Sequence, residues 1–249
     1  IITDVPIDLN EEELELSQPN FEACNQLFNE LEFTTFAKRF NSHYQNTLSQ
    51  STSDLFTPMT SAPTLFNLST YQTYKEVTHT YTAIHTEQEL KDVINSLLQQ
   101  QIIAFDTETT GLEIDCQLLG ISLVSQRHKG FFIFFPQNKE LQEKFIEILK
   151  PLFENEDIEK VAHNIKFDKN VLLNYGIEVK GKTFDTLLAH YLIDPESRHK
   201  LDILSEKYLE YTMIDFETVF GKNTKPPFSI EKINQDLLTE YAVEDADVT

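Results

Sequence analysis

Asp106-Thr107-Glu108 closes a short apolar run, Ile102-Ile103-Ala104-Phe105. Residues two apart on a strand face the same side, so both carboxylates enter one space. There they repel unless a cation lies between them. The tripeptide alone carries little: with 41 acids in 249 residues, an acid-x-acid pattern arises about seven times by chance. Its position carries more, because α/β sheets place their sites at the carboxyl ends of strands. A second signal, His163-Asn164-Ile165-Lys166-Phe167-Asp168, follows the apolar run 158–162 and opens a helical pattern. Asp168 falls in the first helical turn, where the helix dipole alone also favours a carboxylate. The third is Tyr241-Ala242-Val243-Glu244-Asp245-Ala246-Asp247. On a helix Tyr241 and Asp245 are four apart and share a face, while Asp247 points elsewhere. An ordinary amphipathic helix with Tyr241 in the core gives the same pattern.

The combination is more specific than its parts. Asp106, Glu108, Asp168 and Asp245 are four carboxylates that cannot converge without compensating charge. Hard divalent cations with oxygen ligands, Mg²⁺ or Mn²⁺, answer that need. No Cys/His set with zinc spacing competes for the role. Two such ions about 3.5–4 Å apart are the apparatus of in-line attack on a phosphodiester.

The elements that must position these groups read as α/β from Tyr81 onward. Residues 87–98 carry an amphipathic helical stripe through Leu90, Val93, Ile94 and Leu97. The run 102–105 is a buried strand, and 118–124 and 131–135 are two more. A helix over 141–153, a strand over 158–162 and a helix over 167–173 follow. Thr183 and Phe184 end a short strand, and Asp185 caps the next helix. Asp202 is expected to cap another, and 201–249 is mostly helical. The fold class is therefore a mixed β-sheet flanked by helices. Upstream, Asn20 can cap a helix carrying Phe21, Cys24, Leu27, Phe28 and Leu31, and a second short helix holds Phe33, Phe36, Ala37 and Phe40. Residues 1–45 are thus a small helical N-terminal fragment. Between Thr47 and Thr73, 12 of 27 residues are Ser or Thr, so residues 46–81 read as a linker.

Composition bounds the rest. Twenty basic and 41 acidic residues give a net charge of -21. The split is -8 over residues 1–80 (3 basic, 11 acidic) and -13 over 81–249 (17 basic, 30 acidic). This argues against broad, non-specific nucleic-acid coating, but not against a nuclease whose site is built from carboxylates. No apolar run reaches the ~18 residues of a membrane span, and the acidic N-terminus is no signal peptide. Cys24 and Cys116 make no disulfide scaffold, which suits a reduced, cytoplasmic protein.

Three segments carry a resemblance to a known family. AFDTETTGL (104–112), HNIKFDKNVLLNYGIEV (163–179) and YAVEDADVT (241–249) resemble the three motifs of the 3′–5′ proofreading exonuclease domain of bacterial A-type DNA polymerases, the polymerase I family. That domain is a DEDD exonuclease of the ribonuclease H-like fold. FDTLLAHYLIDPESRHKLDILSEKYL (184–209) is similar too, and the Tyr four residues before Asp245 resembles the tyrosine subclass. The match covers 82–249. Residues 3–40 look like the C-terminal edge of the 5′-nuclease domain of the same polymerases, so the chain reads as an internal piece of one.

The resemblance implies a division of labour. Asp106, Glu108 and Asp245 would hold the metal that activates water, and Asp106 would bridge to a second metal beside Asp168. Tyr241 would orient the attacking water; a phenol of pKa about 10 is a poor base at neutral pH. Thr109 and Leu112 would contact the terminal nucleotide, Phe216 would wedge against its bases, and Asn164 and Arg198 would contact the DNA backbone. The partners implied are a single-stranded DNA 3′ end and the polymerase and 5′-nuclease domains of the same chain. The protein would act as a monomer in the bacterial cytoplasm, at the nucleoid. Three other readings stay open: a silent exonuclease-like scaffold, an RNA-trimming exonuclease of the same superfamily, and a non-enzymatic binding module. His199, beside Arg198, reads as solvent-facing, with a phosphate-facing role as the alternative.

Overall fold

A computed structural model describes residues 20–31, 33, 37, 40, 41 and 71–249, apart from 114, 223, 231 and 232. The chain divides into two units, residues 1–65 and 66–249. In the first, α1 spans Phe21–Glu30, and Asn20 accepts from the Ala23 amide at 3.0 Å as an N-cap. The Phe40 ring packs on Phe21 and Phe28, with centroids 5.4 and 5.5 Å away. Ala37, Phe40 and Asn41 are helical; Phe36 and residues 46–70 of the expected linker lie outside the described residues.

The second unit is built on a mixed sheet in the order β1-β4-β3-β2-β5-β6. Its strands are β1 (Thr80–Ile84), β2 (Ile102–Thr109), β3 (Leu118–Gln126), β4 (Lys129–Phe134), β5 (Glu159–Ala162) and β6 (Thr183–Asp185). The β2–β3 and β3–β4 pairs are antiparallel, and β1–β4, β2–β5 and β5–β6 are parallel. Edge strand β1 is absent from the sequence reading. It starts at the last two residues of the stretch assigned to the linker and runs on past its end, and Gln72 also bridges to Tyr211. A five-residue strand with no apolar run leaves little local trace, because its pairing with β4 is what makes it a strand.

The helices are α2 (Glu87–Leu97), α3 (Lys139–Phe153), α4 (Ile165–Asn174), α5 (Thr186–Ile193), α6 (Leu201–Leu209), α7 (Phe216–Phe220) and α8 (Gln235–Val248). Thr86 and Glu89 form a capping box on α2, and Asn138 and Asn234 cap α3 and α8. Asp185 caps α5, as the sequence indicates. Asp202 does not cap α6. Lys200 holds that position and Asp202 lies in the first turn, where a carboxylate suits the dipole.

Two cores cover the two faces of the sheet. Ile103 and Phe105 of β2 point to one, with Leu90, Phe145, Leu149 and Leu172 from α2, α3 and α4. Ala104 points to the other, with Val124, Phe132, Leu238, Ala242 and Val243, under α8. β2 runs on to Thr109, four residues past its apolar stretch, because Glu108 and Thr109 still pair with Gly120 and Leu118. Asp106 and Glu108 therefore sit within the strand, on the face that α8 covers. Gly130 permits that cover, since a Cβ there would collide with Val243 of α8.

Candidate active site

Strand β2 delivers Asp106 and Glu108 two residues apart on one face, and α8 delivers Asp245 from above. The three meet: one carboxylate oxygen from each lies within 4.8 Å of the others. Asp168, in the first turn of α4, stands one step aside. Its Oδ1 accepts from the Thr107 hydroxyl at 2.6 Å and the Thr107 amide at 3.1 Å, on the strand position between the two acids. Two donors on one oxygen fix that carboxylate against β2 and leave its other oxygen as the freer one. The sequence placed all four acids together; the structure groups three and fastens the fourth to their strand.

Electrostatics show what the cluster lacks. Burial pushes Asp106 up to about 6, and burial with the charges of Asp106 and Asp168 pushes Glu108 up to about 8. Asp168 and Asp245 are raised well above the carboxylate range, chiefly by burial and then by Asp106. Among the described residues, none of the ion pairs reaches these four acids. Converging oxygens without a cationic side chain are the donor set of a hard divalent cation. The residues therefore fit the metal that the sequence implies.

Tyr241 lies one turn before Asp245 on the same face of α8. Burial, then the charges of Asp245 and Glu108, raise its phenol further above its ordinary value. It stays protonated at any physiological pH and is a donor, not a base.

An open cleft of about 660 Å³ runs over the cluster. Of the residues expected to touch substrate, Thr109, Leu112, Asn164 and Phe216 line it. Leu112 is 82% exposed, and the Thr109 hydroxyl is spent on the Gly111 carbonyl at 2.7 Å. Asn164 holds a left-handed backbone (φ 66°) with no side-chain capping bond, a conformation Asn tolerates well. Arg198 is exposed on the loop between α5 and α6 and is not part of the cleft wall. Its neighbours His199 and Lys200 are, so the solvent-facing reading of His199 is corrected: its Nδ1 lies 2.7 Å from Nδ1 of His190, which turns the ring inward.

Other wall residues escaped the sequence reading. His163 is bonded to the Thr186 hydroxyl at 2.9 Å, and burial lowers its pKa. Phe220 and Phe228 join Phe216 along one side. The Phe216/Phe220 spacing of four was a signal for the first of these. Phe228 had none, because it reaches the cleft only through a loop whose amide donates to the Thr110 carbonyl at 2.7 Å.

Residues 81–249 match the family described as 3′-5′ exonuclease of A-type DNA polymerases. The chain belongs to that family. Within the A-type polymerase exonuclease family, it is 36% identical to DNA polymerase I of Borreliella burgdorferi over 191 residues, covering 75% of this chain and 20% of the relative. It is 30% identical to DNA polymerase I of Chloroflexus aurantiacus over 259 residues, 99% of this chain and 27% of the relative. The chain thus spans about a fifth to a quarter of the length of these curated relatives. Among solved structures, Escherichia coli RNase D, described as an exoribonuclease involved in structured RNA processing, aligns with a TM-score of 0.53 at 23% identity, over 68% of this chain and 42% of that one. Likeness at this level shows the fold, which is ribonuclease H-like. No helix among the described residues is long and apolar enough to cross a membrane.

Proposed function

We propose that this chain is the proofreading segment of a polymerase I, a two-metal 3′–5′ exonuclease that releases 5′-mononucleotides from a single-stranded DNA end. The carrying observation is the meeting of Asp106, Glu108 and Asp245, with Tyr241 on the same helix face. Asp106, Glu108 and Asp245 would hold one Mg²⁺ or Mn²⁺, and Asp106 with Asp168 a second. When bound, such ions supply an activated water and neutralise charge on the leaving 3′-oxygen. Tyr241 donates a hydrogen bond from its hydroxyl to the attacking water and so aims it. Thr109, Leu112 and Phe216 seat the terminal nucleotide, by backbone-edge contact and by ring stacking that tolerates any base. Asn164 and Arg198 contact the phosphates behind it. The chain would work within a longer monomeric polymerase that also carries 5′-nuclease and polymerase domains, in the bacterial cytoplasm.

The test is digestion of 5′-labelled single-stranded DNA and of the matching RNA. Stepwise shortening of DNA from its 3′ end is expected, abolished by EDTA and restored by Mg²⁺ or Mn²⁺. Chelator-resistant digestion would count against the metal assignment, a preference for RNA against the DNA substrate, and complete inactivity in favour of a silent scaffold.

A further inference from the structure

The Tyr241 hydroxyl makes no hydrogen bond among the described residues, so packing alone decides where it points. The ring is met by Phe220, with centroids 6.1 Å apart and planes at 81°. An edge-to-face contact of this kind is directional, which a purely aliphatic wall would not be. Phe220 in turn stacks on Phe216, the residue proposed to wedge against bases, with centroids 4.5 Å apart and planes at 14°. The four-residue spacing on α7 puts both rings on one side. Phe228 closes on the pair, 5.2 Å from Phe216 and 5.5 Å from Phe220. The hydrogen bond from its amide to the Thr110 carbonyl fastens the group to the end of β2, just past Glu108. All four rings line the cleft. A continuous aromatic path therefore runs from the base-contacting ring to the water-orienting phenol.

We propose that Phe220 is a positioning residue that couples the seating of a base on Phe216 to the aim of the Tyr241 hydroxyl. The inference rests on the exonuclease reading above. Phe220 need touch no reacting atom. A base on the cleft side of Phe216 presses the stack together and holds Phe220 against the Tyr241 ring. A poorly seated terminus leaves that ring, and with it the phenol, free to turn. Turnover then depends on base stacking over and above its effect on binding.

The experiment compares kcat and KM for mononucleotide release from a single-stranded oligodeoxynucleotide in saturating Mg²⁺. Phe220→Leu keeps most of the volume but cannot present a ring, Phe220→Tyr restores the ring, and each is also made in a Tyr241→Phe background. Phe220→Leu is expected to lower kcat about three- to tenfold, the worth of one aromatic pair. KM should move by less than about twofold, and Phe220→Tyr should recover the rate. In the Tyr241→Phe background Phe220→Leu should add nothing, because the hydroxyl it acts through is gone. Thermal melting checks that the variants fold; if Phe220→Leu does not, Phe220→Met carries the same comparison. Additive losses in the double variant, or a loss confined to KM, would overturn the coupling while leaving the exonuclease reading intact. An inactive parent protein would overturn both.

Discussion

Asp245 joins Asp106 and Glu108, whereas Asp247, two residues on, turns to the far side of α8. There it accepts from the Tyr81 hydroxyl at 2.7 Å and from the His128 amide at 2.8 Å. The two acids should therefore fail in different ways. On the proposed two-metal reading, Asp245→Ala is expected to cut single-strand digestion on the order of 10³-fold or more, since it would remove a ligand to the ion that activates water. Its melting temperature in EDTA should hold or rise, because one of several repelling carboxylates has gone. Tyr241→Phe should cost less, the water keeping its other contacts. Asp247→Ala should keep the chemistry but strand two partly buried donors, a loss of about 1–3 kcal/mol in stability. Paired digestion and melting assays on the three variants check this. Activity lost with Asp247 and kept without Asp245 would reverse the roles of the two faces.

Two helices, α8 and α4, bring Asp245 and Asp168 to the acids of β2, and each is anchored by acids outside the cluster. α8 carries a polar rail on the flank next to its site face, about 100° round the axis. Glu240 meets His79 at 2.6 Å, and Glu244 accepts from the Tyr211 hydroxyl and the Ile214 amide, each at 2.6 Å. Glu244 is fully buried, and burial raises it to about 7. Glu244→Ala leaves one buried and one partly buried donor unmet and should cost about 2–4 kcal/mol in denaturant unfolding. α4 is held from its open end instead. Asp185 accepts from the amides of Asn164 and Ile165 at 3.1 Å each, as well as from Leu187 and Leu188 of its own helix. Asp185→Ala should therefore cost more than an ordinary cap, at or above the ~2 kcal/mol upper end. It should also slow digestion, because α4 carries Asp168. An ordinary cap loss with unchanged digestion would show that α4 is placed without it. The capping role of Asp185 was legible from its place before an apolar run; its second hold on α4 was not, because that contact crosses from one helix start to another.

For the molecule as a whole, the crowded carboxylates tie stability to pH and metal. Asp106 and Glu108 keep protons in the folded protein up to about 6 and about 8, whereas the unfolded chain releases them near pH 4. Folding therefore takes up protons in this window. The stabilisation is full below the unfolded values and is lost as pH rises through the folded ones. In EDTA the melting temperature should fall between pH 5 and pH 8, and Glu108→Gln should flatten that slope. Saturating Mg²⁺ should raise the melting point most at pH 8, where the ligands ionise readily. A slope unchanged by Glu108→Gln would place its origin outside the cluster. The sequence by itself determined what local periodicity can carry. Alternation along β2 put Asp106 and Glu108 on one face, and the four-residue step along α8 put Tyr241 with Asp245 and turned Asp247 away. The motifs, in their order, resembled the 3′-5′ exonuclease family to which the chain belongs. The tertiary structure alone decided that Thr107 captures Asp168, that β1 completes the sheet edge, and that Phe228 is folded back onto Thr110 beside Phe216 and Phe220. Those pairings join residues tens to more than a hundred positions apart, and a contact made by chain reversal leaves no period in the sequence to read.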